Sequence, residues 1–342
     1  MKPVIFGLSG LTLTPSERAF FQDSEPAGYI LFKHNIGSRD QLRALTQDLR
    51  GLSGRSNLPI LIDQEGGRVQ RLGLPEWPEF PSGACFSALY ARAPMSAIEA
   101  ARANAEAIAL TLCDVGISVN CAPVLDIWQP STHDAIGDRS YGGTAMQVAS
   151  LGRAVLDGLR RGGVVGVIKH MPGQGRARVD SHHQLPIVTA SDTELEEDSG
   201  AFKRLNTAAI GMTGHILYEA WDTENCATLS PTIIADVIRG RIGFDGLLLS
   251  DDLAMKALSG SAAEKACAAV AAGCDLALNC WGSLEERETV AAALPDIRAA
   301  SRARLDRAMA TAFVCESESS AKAVDNIAAL IAKRDALLSY TV

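Results

Sequence analysis

The chain has 342 residues, 47% hydrophobic and 21% charged, with a net charge of -8. There is ample material for a buried core, which excludes a disordered chain and a small disulfide-stapled scaffold. The acidic balance and the lack of a long basic run disfavour nonspecific binding to nucleic acid or acidic membranes.

In chain order, short apolar runs alternate with longer stretches of helical period. The first run, 3–8, follows Lys2 and imitates a secretion signal, but Gly7, Ser9 and Gly10 break it and no small-residue cleavage site follows. Run 28–32 precedes the amphipathic stretch 41–52, run 59–63 precedes 96–115, and run 117–126 precedes 145–161. Runs 164–170, 208–215 and 246–251 are followed by 192–205, 231–239 and 262–272, and an eighth run covers 275–279. The longest wholly apolar stretch, 266–274, is about half of what a membrane span needs. Eight dispersed cysteines without a CxxC pair read as small core residues of a reducing compartment. A cytoplasmic protein without a membrane span is expected.

Continuous apolar strands joined by helical crossovers imply a parallel sheet buried on both faces, and eight such units predict an α/β fold, a closed (β/α)8 TIM-like barrel. The competing open, doubly wound sheet lacks its fingerprint, since neither GxGxxG nor GxxxxGK[ST] occurs. Two more helical stretches, 284–313 with breaks and 321–338, predict extra C-terminal helices packed on the barrel wall. The whole chain, 1–342, reads as a single domain, with the barrel over about 1–282 and the helices over about 283–342.

Most runs end in a polar group: Asp63, Asp126, Lys169-His170, His215 and Asp251-Asp252. Barrel strand ends converge on one mouth, so these residues predict a single pocket, with helix capping the competing reading for any one aspartate. Asp251 emerges from deeply apolar sequence as a base, metal ligand or nucleophile, whereas Asp252 reads as the cap of a helix starting near Leu253. The segment Asp63 to Arg71 joins a carboxylate to Gly66-Gly67 and arginines suited to sugar-like hydroxyls and an anionic or carbonyl group. Arg139, in a glycine-rich loop, taken alone reads as a surface ion-pair residue.

Residues 169–183 are too rich in Pro, Gly and charge for a helix and predict a long functional loop. With 180–182 extended, Asp180 and His182 share a face, and the carboxylate orients the imidazole and tunes its charge. A turn capped by Asp180 is the competing reading. No HExxH or cysteine spacing supports a metal on His170, His182, His183 and His215, so no metal is expected.

Together the stretches 28–32, 61–71, 122–126, 169–182 and 244–253 resemble glycoside hydrolase family 3, within it the single-domain bacterial cytoplasmic β-N-acetylglucosaminidases of peptidoglycan recycling. The resemblance implies a retaining mechanism with Asp251 as nucleophile and His182, assisted by Asp180, as general acid/base in place of a second carboxylic acid. It implies N-acetylglucosamine binding through Asp63, Arg71, Arg139, Lys169 and His170. The family has Phe and His where this chain has Met171 and Gln174. The implied partners are small soluble amino-sugar glycans and muropeptides, with no cofactor, no nucleic acid and no obligate protein partner. A family 3 β-glucosidase, a phosphorylase using the same site, and an inactive sugar-binding protein are the alternatives.

Overall fold

The structure, a computed structural model, describes residues 1–310, 312 and 320–339. Eight parallel strands close into a barrel: β1 (Lys2–Gly7), β2 (Pro26–Leu31), β3 (Ile60–Ile62), β4 (Val119–Asn120), β5 (Val165–Met171), β6 (Ile210–Thr213), β7 (Leu247–Asp252) and β8 (Leu276–Asn279). Each strand pairs with its sequence neighbours, and β8 returns to β1 through Val4 opposite Ala277 and Phe6 opposite Asn279. All eight expected runs supply a barrel strand. The run 117–126 does so only at 119–120, because Pro123 has no N–H for the ladder; beyond it an isolated bridge sets Val124 opposite Lys169, whose amide donates to Pro123 O at 3.2 Å and whose carbonyl accepts the Leu125 amide at 2.6 Å.

The strands alternate between two apolar layers. Val4 and Phe6 pack outward with the helices, whereas Ile5 joins Leu61, Val167, Met212, Leu249 and Leu278 in the barrel interior. Crossover helices Arg39–Ser53, Pro94–Asp114, Ala145–Arg161 and Ala262–Ala272 match the amphipathic stretches. Two stretches differ. The stretch 192–205 breaks at Ser199 into Asp192–Asp198 and Gly200–Arg204, and 231–239 is wound as the π-helix Ile233–Arg241.

Past β8 come helices Leu284–Ala293, Ala299–Met309 and Ser320–Leu338. The second reaches the barrel interior with Leu305 and Met309, and Ser301 donates to Asp275 at 2.6 Å. The third lies along Pro94–Asp114, with Arg334 donating to Asn104 at 3.0 Å. The end of the expected stretch 284–313, and Cys315, lie outside the described residues. Cys121, Cys226, Cys274 and Cys280 are buried free thiols, but Cys85 is exposed and Cys113 is disulfide-bonded, so the expectation of core thiols fails at these two. Among the described residues no helix is long and apolar enough to cross a membrane.

Candidate active site

The C-terminal strand ends open into a cleft of about 600 Å³. Beneath it, the buried Gln64 opens a short hairpin that follows β3. The Gln64 amide donates to Asn120 Oδ1 at 3.0 Å, and its side-chain oxygen accepts the amides of Arg71 and Leu72 at 2.8 and 3.0 Å. This fold-back needs a tight turn at Gly66-Gly67. Both have positive φ, and a Cβ on Gly66 would lie 2.3 Å from the Pro81 carbonyl oxygen.

The hairpin brings Asp63, Glu65 and Arg71 to the cleft, where Lys169 from β5 joins them. The Lys169 ammonium lies 3.0 Å from Asp63 and 2.8 Å from Glu65, and Arg71 reaches the other Asp63 oxygen at 3.0 Å. Arg139 grips Glu65 with two hydrogen bonds of 2.9 and 2.8 Å. Three cations thus face two carboxylates in a buried cluster. Burial opposes ionisation of Asp63, but Lys169 and Arg71 outweigh it and hold the carboxyl below its usual value. Glu65 is lowered further, burial again being overcome by Arg139 and Lys169. Lys169 is raised by the same carboxylates against its burial. Arg139 is therefore a partly buried partner of the buried Glu65, and the simpler surface reading of it is corrected.

His170 Nδ1 lies 2.7 Å from Asp126 Oδ2, and Asp126 Oδ1 accepts the amides of His170 and Gln174 at 3.3 and 2.7 Å. Asp126 is fully buried beneath the cleft wall rather than on it. His215 is also displaced from the expected pocket: Nδ1 meets Thr228 Oγ1 at 2.7 Å and Nε2 the Asp252 carbonyl at 2.9 Å. Both ring nitrogens are spent on structure, and burial lowers its basicity.

Asp251 and Asp252 close β7. Asp251 Oδ1 accepts the Asp252 amide at 2.8 Å, while Oδ2 has no hydrogen-bond partner among the described residues. Asp252 Oδ1 takes the amides of Ala254 and Cys280 at 3.0 and 3.3 Å. No helix starts at Leu253; the chain makes turns there and the next helix begins at Ala262, so Asp252 caps a turn. Burial pushes the Asp252 carboxyl up, with Asp251 adding to the effect.

The loop after β5 is pinned along its length. Gly173 O accepts from Tyr218 at 2.8 Å, Gly175 O from Thr132 at 2.6 Å, and Arg176 donates to Asp198 at 2.7 Å. A Cβ on Gly175 would stand 2.0 Å from the Ile127 carbonyl oxygen, so the loop approaches its neighbour as only glycine permits. Further on, Ser181 O accepts the Ala257 amide at 3.2 Å, tying this loop to the one that follows Asp251. Asp180 and His182 sit in a turn, not in extended chain. Asp180 O accepts the amides of His183 and Gln184 at 3.0 and 3.1 Å, and Oδ1 accepts the His182 amide at 2.9 Å and faces its Nδ1 at 2.7 Å. The turn creates the pair that extended spacing was expected to give. Burial works against ionisation of Asp180, and the bonds from His182 prevail and lower it. With Nδ1 on Asp180, Nε2 of the exposed imidazole is the nitrogen free to carry a proton.

All eight expected site residues, Asp63, Arg71, Arg139, Lys169, His170, Asp180, His182 and Asp251, line this one cleft. Glu65 escaped the sequence reading, its signal being its spacing of two from Asp63, and Asp126, expected among the strand ends lining the pocket, instead holds His170 from beneath it. Met171 is wholly buried against β6, whereas Gln174 lines the cleft, so the two departures in this loop differ in reach. Among the described residues no group of three or more His, Cys, Asp or Glu is placed to hold a metal ion.

The model of the glycosyl hydrolase family 3 N terminal domain matches residues 10–311. A beta-hexosaminidase of Chromobacterium violaceum is 37% identical over 298 residues, 85% of this chain and 82% of the relative. One of Aromatoleum aromaticum is 35% identical over 314 residues, 89% and 86% of the two chains. The crystal structure of NagZ from Neisseria gonorrhoeae in complex with N-trifluoroacetyl-D-glucosamine superposes with a TM-score of 0.86 at 29% identity, covering 98% of this chain and 97% of that one.

Proposed function

From the premise that the chain belongs to glycosyl hydrolase family 3 and is a β-N-acetylglucosaminidase, we propose that it acts with retention through a covalent glycosyl–Asp251 intermediate. Asp251 Oδ2 attacks C1 of a terminal, non-reducing N-acetylglucosamine. The C1–O bond to the leaving group breaks as His182 Nε2–H protonates that oxygen. A water then attacks C1, gives its proton to His182 Nε2, and the bond to Asp251 breaks. Asp180, ionised and on Nδ1, orients the imidazole and stabilises it when charged. The carrying observation is that an Asp251 oxygen without a hydrogen-bond partner among the described residues and the Asp180–His182 pair open onto one cleft.

Asp63, Arg71, Lys169 and His170 bind the hydroxyls of that sugar, and Arg139 joins them from its pair with Glu65. Locked charges of this kind are oriented before the substrate arrives, which is the condition for electrostatic help in a charged transition state. The complex of the gonococcal neighbour with an N-acylated glucosamine supports an amino sugar in this place. The natural substrates are muropeptide fragments, N-acetylglucosamine linked to 1,6-anhydro-N-acetylmuramic acid with or without peptide, met in the cytoplasm by a single-domain enzyme. This substrate class follows from the resemblance to recycling enzymes.

The test compares aryl β-N-acetylglucosaminide with the matching aryl β-glucoside. A kcat/KM ratio of about 10² or more is expected for polar groups built around the amide, and a ratio near one points to a glucosidase. A slow fluorinated glycoside should leave one sugar on wild type by intact mass and none on Asp251→Ala. In phosphate buffer the sole sugar product should be free N-acetylglucosamine; sugar 1-phosphate would overturn the hydrolytic step.

A further inference from the structure

We propose that His215, with Thr228 and Thr213 behind it, is a positioning residue for Asp251 and acts on it through the backbone of Asp252. The proposal rests on Asp251 as the nucleophile, the reading given above, and names what keeps that carboxylate in its attacking orientation.

The strand that carries Asp251 loses its regular ladders after Leu249. On the β6 side the pairing runs Leu247 opposite Ile210, Leu248 opposite Gly211 and Leu249 opposite Met212. On the β8 side Leu249 faces Leu276 and Asp252 faces Leu278, so three steps along β7 match two along β8. A bulge of this kind re-aims a side chain beside a site and interrupts the ladder that would hold it.

Side chains take over there. Ser250 Oγ accepts the Leu278 amide at 2.9 Å and donates to Asp251 O at 2.8 Å. From just past β6, His215 Nε2 meets Asp252 O at 2.9 Å. The amide of that same residue, Asp252, holds Asp251 Oδ1 at 2.8 Å. The two groups are separated only by the soft torsions of one residue, so loosening the carbonyl loosens the amide that clips Oδ1 and leaves Oδ2 open.

The direction of the His215 contact is set from behind. To donate to a carbonyl, Nε2 must carry a hydrogen. Burial of the whole ring lowers its basicity against the pull of Asp251 and Asp252, so it holds a single proton. Nδ1 is then an acceptor, and Thr228 Oγ1 lies 2.7 Å from it. Thr228 has one hydrogen to give, and Thr213 Oγ1, 2.8 Å away, donates to Thr228 in turn. Gly214 O, at 3.2 Å, is the more distant acceptor for the Thr228 hydroxyl. None of the three side chains touches solvent, so a lost donor is not replaced from bulk water.

Thr228→Val keeps the shape of the side chain and removes its hydroxyl, whereas Thr228→Ser keeps the hydroxyl. Against a dinitrophenyl N-acetylglucosaminide, whose departure needs no proton from His182, Thr228→Val should lower kcat/KM about tenfold or more, and Thr228→Ser should stay within about twofold of wild type. The same factor should appear on disaccharides, because the loss lies with Asp251 and not with the proton donor. The rate at which the slow fluorinated glycoside labels the protein should fall equally, with the final extent of one sugar per chain retained. A purely structural role would lower that extent or the urea midpoint and leave the rate per labelled chain alone. His215→Gln, whose amide can still donate to Asp252 O, should lose less than His215→Leu.

Labelling of Thr228→Val at the wild-type rate overturns the positioning role, and so does a loss that Thr228→Ser shares in full. Should a variant fail to fold, nitrogen NMR of the wild type decides: the His215 proton belongs on Nε2, and a proton on Nδ1 alone overturns the proposal. A wild type that takes no label overturns Asp251 as nucleophile and this inference with it, whereas a labelled wild type beside an unslowed Thr228→Val removes the inference only.

Discussion

Asp126 holds the imidazole of His170 through Nδ1 at 2.7 Å from a position that solvent does not reach. The same carboxylate takes the Gln174 amide, so the His170 ring, proposed to bind sugar, and the root of the loop that carries His182 hang on one side chain. Asp126→Asn sets an NH₂ donor among donors. Unfolding free energy should fall by about 1–3 kcal/mol, read as a lower urea midpoint at constant slope. kcat/KM should fall in folded protein, and unaltered kinetics would show that His170 needs no such anchor.

His182→Ala should cut turnover of disaccharides by about 10²–10⁴ and of dinitrophenyl glycosides far less, because a good leaving group needs no proton. Asp180→Asn should follow the same order with smaller losses. Asp180 is lowered, so its bond to His182 is fully present above the ordinary carboxylate range and is lost only as pH falls through the depressed value. Equal losses on both leaving groups would remove the acid role.

Glu65→Gln leaves Arg139 facing an uncharged partner and Lys169 with Asp63 alone, and breaking a buried pair costs up to about 3–5 kcal/mol. The loss should be largest at neutral pH. Since the folded-state value of Glu65 is depressed, its contribution shrinks as pH falls through the usual carboxylate range toward that value. Thermal unfolding of both proteins from pH 7 downward should show the gap narrowing.

Asp198, which holds Arg176 of the loop after β5, behaves oppositely. Burial raises its carboxyl from 3.8 to about 6, against the pull of Arg176. The folded state therefore keeps this proton longer than the unfolded chain, and stability present at low pH is lost as pH rises through about 6. The loss is at most about 3 kcal/mol. Urea midpoints of Asp198→Asn at pH 4.5 and 7, both flanking that value, should differ less than those of wild type.

The barrel was legible because its strands are buried on both faces and read as unbroken apolar runs, Val164 to Ile168 among them. The cleft was legible where a polar residue ends such a run, as at Asp63, Lys169 and Asp251. Pairings across the barrel were not: Arg139 and Glu65 meet 74 residues apart, and only the closed fold sets them side by side. Nor did alternation explain Asp180 and His182, since a short aspartate side chain bonds the amide two residues on and bends the chain itself. The helix break at Ser199 is marked only by Gly200 after it, a signal too weak to set against the helical period of 192–205.

Barrel closure has a consequence for synthesis. One edge of β1 pairs with β2, some 20 residues away, but the other waits for β8. More than 260 residues separate Gly7 from Leu276, tens of seconds at ribosomal rates of about 5–20 residues per second. For that time the nascent chain carries an open strand edge, and the last hydrogen bonds of the barrel form only when the eighth strand leaves the ribosome.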